Sequence, residues 1–241
     1  MHRTELIQNI IDRGKKKTYL EIGVNNGSTF FRIKCNKKIA VDPEFVFKTY
    51  KKHAWKILNP TNFRNSFFNT TSNSFFKNEK EFLLKQKGID VVFIDGLHTF
   101  KNSLEDILNA ITYLKEDGFI VVHDCFPPHK AASIPTKTYP TKEEQNIEGW
   151  TGAWCGDVWK SMVYLKRHLS NTLNISVYNS DYGLGLITLK NKPSTPIMID
   201  NKLFNDIDKL TYDELIKNPK SFINIKNVSN KLEIFNNLYS R

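Results

Sequence analysis

Cysteine is scarce in this 241-residue chain: Cys35, Cys125 and Cys155 lie far apart, and no CxxC pair occurs. That spacing excludes a zinc knuckle and argues against a disulfide framework. Reduced thiols in the cytoplasm are the simple expectation. No apolar run approaches the length of a membrane span. The first residues lack the basic-then-apolar pattern of a secretion signal. A soluble, cytoplasmic protein with no membrane partner is therefore expected. Acid is in deficit, with 35 Lys and Arg against 25 Asp and Glu and a net charge of +10. Basic surfaces attract polyanions. Here the lysines are scattered among abundant asparagines and form no stripe, so nucleic-acid binding is not expected. Neither a GxGxxG fingerprint nor a P-loop Lys-Ser/Thr is present, and no internal repeat is found.

What is present centres on residues 89–124. Ile89 to Ile94 is a short apolar run rich in β-branched residues, the signature of a buried strand. Gly118 to Val122 reads the same way. Between them Leu104, Ile107, Leu108, Ile111 and Leu114 recur at helical spacing. Strand, helix and strand at this spacing form a βαβ unit with parallel strands. The strands end at Asp95 and Asp124, with His98 and His123 beside them. Ligands of open α/β sheets sit beyond the carboxyl ends of the strands, so two acids and two histidines are expected to share one crevice.

The rest of the chain extends the pattern. Leu6, Ile7, Ile10 and Ile11 mark a lead-in helix. Thr18 to Ile22 reads as a strand ending at Glu21-Ile22. A turn bearing Gly23, Asn25 and Gly27 follows, and a helix is expected near Ser28, which would cap it. The glycines would let the backbone approach a ligand closely. Lys38 to Asp42 reads as a second strand. An acid about 20 residues past a glycine turn is placed to accept hydrogen bonds from ribose hydroxyls; a plain turn before Pro43 is the alternative. A third strand is placed near Ser66 to Thr70, with the loop Thr71 to Ser74 at its end. Phe126 to Gly152 is a long, proline-bearing loop, functional or mobile by its length. The nearby tryptophans suit a lid or the core. Asp157 precedes a helix running to about Leu169, and Asn174 to Tyr178 with Leu184 to Leu189 form an antiparallel pair. Residues 1–190 read as one domain. Residues 191–241 read as an extension packing on it or on a partner subunit.

The order of these motifs resembles the class I S-adenosylmethionine-dependent methyltransferases, from about Tyr19 to Leu189. Glu21-Ile22-Gly23 with Gly27 is similar to their first motif in the form E-I-G-x-x-x-G-x-[S/T]. Asp95-Gly96-Leu97-His98 resembles the D-G-x-H motif of bacterial sugar and small-molecule O-methyltransferases. The resemblance implies a Rossmann-like, doubly wound, seven-stranded and mostly parallel sheet, with one antiparallel strand near an edge. It implies S-adenosylmethionine held by Glu21, Gly23, Asn25, Gly27, Ser28, Asp42, Ser72, Asn73 and Asp95. It also implies a divalent metal, magnesium first, on Asp95 and Asp124, with His98 as general base. His123 stands where the family carries a second acid, which would make it a third ligand and favour a softer ion, or a residue that supports the site from outside. The expected acceptor is a sugar, a nucleotide-sugar or another small hydroxylated molecule. A hydroxylase-like enzyme using His98, His123 and Asp124 on iron is the alternative, as is a binding protein that retains the fold. On the plainer view Asp95 only caps a helix and His98 only makes a structural hydrogen bond.

Overall fold

The strands alternate in where they send their side chains, and that alternation builds the molecule. In the computed structural model, described for residues 1–229 and 231–239, Leu20, Ile22, Val92, Ile94, Ile120 and Val122 enter one core. Their neighbours Tyr19, Val91, Phe93, Phe119 and Val121 enter a second core on the other face of the sheet. Both faces are covered, which is why these strands read as unbroken apolar runs. The first core is closed by the helices α3 (Ser72–Asn78), α4 (Lys80–Lys85), α5 (Phe100–Tyr113) and α6 (Trp159–His168). The second is closed by α1 (Arg3–Arg13), the segment 24–35 and side chains of α10 (Lys231–Asn237).

The strands are β1 (Thr18–Ile22), β2 (Lys37–Asp42), β3 (Asn65–Asn69), β4 (Ile89–Ile94), β5 (Leu114–Val122), β6 (Leu173–Asn179), β7 (Leu184–Leu189) and β8 (Ile225–Asn227), in the order β3-β2-β1-β4-β5-β7-β6-β8. β7 runs antiparallel to both neighbours, and the other pairings are parallel. The sheet therefore has eight strands rather than seven. The added strand comes from the C-terminal segment, where α9 (Pro219–Ile223) ends at Asn224 in the left-handed region and returns the chain alongside β6. That segment also contributes Ile207 of α7 (Asn201–Asp208), Leu215 of α8 (Tyr212–Lys217) and Ile223 to the first core. A capping box between Thr211 and Glu214 starts α8.

The helix expected at Ser28 does not form. Residues 24–36 form turns and irregular chain, and the Ser28 N–H is taken by the side chain of Asn26 at 2.9 Å. The cause lies outside the segment. A helix needs its carbonyls for its own N–H groups, and here buried side chains claim them. Lys38 Nζ donates to Phe30 O at 2.8 Å and Ile33 O at 2.9 Å. Asn59 and Asn62 donate to Phe31 O, each at 3.0 Å. Phe30, Phe31 and Ile33 are thereby all driven into the core. The helix α2 runs over Thr49–Leu58. Asp157 does not cap α6; its carboxylate accepts the Phe100 N–H at 2.6 Å, at the start of α5.

Candidate functional site

The parallel ladders set the site. Ile22 pairs with Ile94, and Ile94 with Val122, so the three strands end level. Two further bonds carry the ladders past them: Asp95 N–H to Ile22 O at 2.9 Å, and His123 N–H to Ile94 O at 3.0 Å. Asp95 and His123 therefore stand side by side, and Asp124 follows with φ of +60°. Thr99 caps α5, so Asp95 is not a helix cap. Gly156 must also be glycine: its φ is +58°, and a Cβ there would lie 1.7 Å from the carbonyl oxygen of His98.

Asp95, His98 and Asp124 each offer a ligand atom within 4.8 Å of the others. His98 Nδ1 lies 3.0 Å from Trp154 O. A carbonyl only accepts, so Nδ1 carries the proton. The remaining nitrogen, Nε2, faces Asp124 Oδ2 at 3.2 Å and Asp95 Oδ1 at 3.5 Å. His123 Nδ1 faces the same two oxygens at 2.8 and 3.1 Å, and its Nε2 is buried without a hydrogen bond, 3.5 Å from Asp181 Oδ1. Arg3, from the first turn of α1, closes the cluster: its guanidinium bonds Asp95 Oδ2 at 2.8 Å and both oxygens of Asp181 at 3.0 Å.

The electrostatics follow from these distances. Burial acts to raise the Asp95 carboxyl, but His123 and His98 hold it well below the usual carboxylate range. Burial acts to lower both imidazoles; for His123 the Asp95 and Asp124 charges outweigh it by a wide margin, and for His98 Asp124 does so. Both shifts favour the imidazolium form. Were both neutral, the carboxylates of Asp95, Asp124 and Asp181 beside Arg3 would carry a net charge of −2. A divalent cation is therefore a chemically complete substitute for the two protons, and two carboxylates with one imidazole suit such an ion. The ligand atoms that lie within 4.8 Å of one another come from two acids and one histidine, and His123 meets the same two oxygens through Nδ1.

The cluster forms the floor of a cleft of about 780 Å³. Of the residues singled out from the sequence, Glu21, Gly23, Asn25, Ser28, Asp42, Ser72, Asp95, His98, His123 and Asp124 line it. Gly27 and Asn73 do not. Gly27, at φ +72°, gives way to the ring of Phe31, and Asn73 bonds Glu105 at 2.8 Å. Gly23 accommodates the chain rather than a ligand, since a Cβ there would lie 2.0 Å from Asp95 O. Asp42 accepts the N–H groups of Asn25 and Glu44, each at 2.7 Å, which fixes its carboxylate at the cleft wall. Glu21 is held by the Tyr19 hydroxyl, and burial pushes its carboxyl up to about 8. Trp154 packs against His98 with ring centroids 4.4 Å apart, and Tyr139 stands edge-on to Trp154.

Arg3, Asp106 and Asp181 were not expected at the site. Arg3 left no signal and Asp181 only that of a turn-rich connection, because only the tertiary fold brings the first turn of α1 to the β6–β7 turn. Asp106 did leave one: it stands between Ser103 and Ala110 on the buried stripe of α5. No cation is among the groups acting on it, and burial pushes its carboxyl up to about 7.

Comparison with known proteins agrees with this geometry. The family described as a methyltransferase domain matches residues 20–125. This is a methyltransferase fold. Rv0187 from MTB, solved with its cofactor, superposes with a TM-score of 0.53 at 12% identity, covering 78% of this chain and 80% of that one. The Podospora anserina methyltransferase PaMTH1, solved with SAH, gives 0.52 at 14% identity, with 78% of each chain covered. A Staphylococcus aureus protein provisionally assigned as a caffeoyl-CoA O-methyltransferase gives 0.51 at 17% identity, covering 78% of this chain and 82% of that one. No curated protein matches the sequence. Among the described residues, no helix of the methyltransferase fold seen here is long and apolar enough to cross a membrane.

Proposed function

We propose that the chain transfers a methyl group from S-adenosylmethionine to a hydroxyl of a small acceptor, a sugar or similar polyol first, with help from a divalent metal. The observation that carries this reading is the continuity of one cleft from Asp42 and the Gly23 turn to the Asp95–His98–Asp124 cluster. Asp42 has lone pairs left for ribose hydroxyls after receiving its two backbone N–H groups. Glu21 is neutral at pH 7 and supplies a polar group beneath the turn without adding charge.

Methyl transfer from a sulfonium needs an oxygen nucleophile in line with the methyl group, and an alkoxide is far better than the alcohol. A metal held by Asp95 and Asp124 would lower the acceptor's pKa. His98 Nε2 accepts the hydroxyl proton, while the bond from Nδ1 to Trp154 O keeps the tautomer and ring orientation. Arg3 fixes Asp95 through Oδ2, which leaves Oδ1 facing the cluster. Trp154 and Tyr139 wall the acceptor side, where aromatic faces suit a sugar ring. Orientation of donor and acceptor supplies much of the remaining acceleration.

A second reading of His98 rests on one observation: its Nε2 lies within ligand distance of the same volume as both carboxylates. It is then the third ligand, and one nitrogen cannot ligate and take a proton together. Titration of His98→Ala with Mn²⁺ separates the two. Unchanged metal affinity with lost turnover makes His98 the base; lost affinity makes it a ligand. The donor assignment is tested by calorimetry with S-adenosylhomocysteine. Asp42→Ala is expected to bind at least about tenfold more weakly, the effect of one or two lost hydrogen bonds to a charged group. Unchanged affinity would remove the ribose from Asp42.

A further inference from the structure

The helix α2 packs on the body through Trp55 and turns a second apolar stripe outward. Tyr50, Ala54, Ile57 and Leu58 recur at the spacing of a single helical stripe, and that stripe faces water. Tyr50 is 72% exposed, Ile57 81% and Leu58 69%. No residue of the helix is buried. The lysines instead turn toward the body. Lys51 Nζ donates to Asn26 O at 3.1 Å, Lys52 lies 4.0 Å over the ring of Phe67, and Lys56 lies 5.3 Å over that of Phe63. Val46, before the helix, and Phe63, after it, are exposed as well, so five of the fourteen large apolar side chains exposed among the described residues fall within 46–63. Scattered single exposures need no explanation, but a cluster of this density does.

Charge narrows what can cover it. Residues 44–64 carry Lys48, Lys51, Lys52, Lys56 and Arg64 against one acid, Glu44. A second copy of the chain would bring like charge against like. Its four-residue stripe is also small beside the roughly 800 Å² per partner of a stable dimer. Nucleic acid would answer the lysines but leave Ile57 and Leu58 without a partner. An apolar stripe flanked by cations on a helix too short to cross a bilayer is the pattern of interfacial binding. We propose that the 46–63 face docks on an anionic phospholipid surface, with Tyr50, Ile57, Leu58 and Phe63 entering the acyl boundary and the exposed Lys48 and Arg64 lying at headgroup level. The docking does not depend on the chemistry assigned to the cleft, and it would bring the enzyme to an acceptor held at a membrane.

Co-sedimentation with vesicles tests this. The full chain is expected to sediment with mixed phosphatidylcholine–phosphatidylglycerol vesicles, to do so less as salt is raised, and not to sediment with phosphatidylcholine alone. The double variant Ile57→Ser with Leu58→Ser keeps every charge and should bind at least about tenfold more weakly. Lys48→Glu should weaken binding to mixed vesicles only. Because these side chains are exposed, an unchanged melting midpoint serves as the folding control. Absence of sedimentation with mixed vesicles overturns the proposal, as does equal binding by the double variant. A dimer in solution that the double variant dissolves would assign the stripe to a second copy and also overturn it.

Discussion

Replacing Asp106 by Asn should stabilise the protein at alkaline pH and leave it nearly unchanged in acid. The Asp106 side chain is buried at the wall of the cleft, with no cation acting on it, and its carboxyl titrates at about 7. In the unfolded chain an aspartate titrates near 3.9. The fold thus holds this proton more tightly than the unfolded chain does. The stability it contributes is complete below about pH 4, falls as the pH climbs to about 7, and stays lost above that. Three pH units at 1.36 kcal/mol each give about 4 kcal/mol; water entering the cleft reduces this towards about 2 kcal/mol. An amide has the same shape, cannot ionise, and can still bond the Ser72 hydroxyl that acts on Asp106. Urea unfolding of both chains at steps from pH 4 to pH 8 measures the difference. Burial raises Glu21 and Asp157 as well, but they titrate in both chains and cancel in the subtraction. A difference that stays flat with pH would refute the reasoning, because the lost group would then not be the buried carboxyl.

Two further outcomes follow from the framework of the site. Lys38→Met leaves the carbonyl of Phe30 unpaired inside the protein and removes one of the two donors to that of Ile33, which keeps Asn59, so the melting midpoint should fall with a loss of about 1–3 kcal/mol; an unchanged midpoint would mean that Lys38 does not shape residues 24–36. Gly156→Ala forces the loop away from the His98 carbonyl and should reduce turnover by about a hundredfold by displacing the imidazole, which kinetics on the folded variant would check.

Much of the fold could be read from local pattern, and the reason is burial on both faces. Ile89 to Ile94 and Leu184 to Leu189 have the bounds expected of them because their apolar runs are bracketed by turn residues. The acids at the strand ends were legible for the same reason: β4 and β5 are adjacent in the sheet, so Asp95 and Asp124 had to meet. Where the reading failed, distant residues decided the local structure. Ser28 looked like a helix cap, but Lys38, Asn59 and Asn62 took the carbonyls the helix required. The Ile225–Asn227 strand is too short for any period to show, and its existence depends on the edge that β6 offers. Arg3 had no local pattern to betray it, since its partners Asp95 and Asp181 lie 92 and 178 positions away.

The unwound stretch after β1 has a consequence for ligand choice. A helix there would have aimed a partial positive charge and a row of free amides at whatever lies above the glycine turn, the arrangement by which nucleotide-binding folds grip phosphate. Held by Lys38 and two asparagines, the stretch closes only isolated turns, from the Phe31 N–H to Gly27 O and from the Ile33 N–H to Thr29 O, so it presents a much weaker end. A nucleoside carrying a sulfonium meets only a weak dipole at the strand tip, whereas a dinucleotide's pyrophosphate would lack the row of amides that usually grips it.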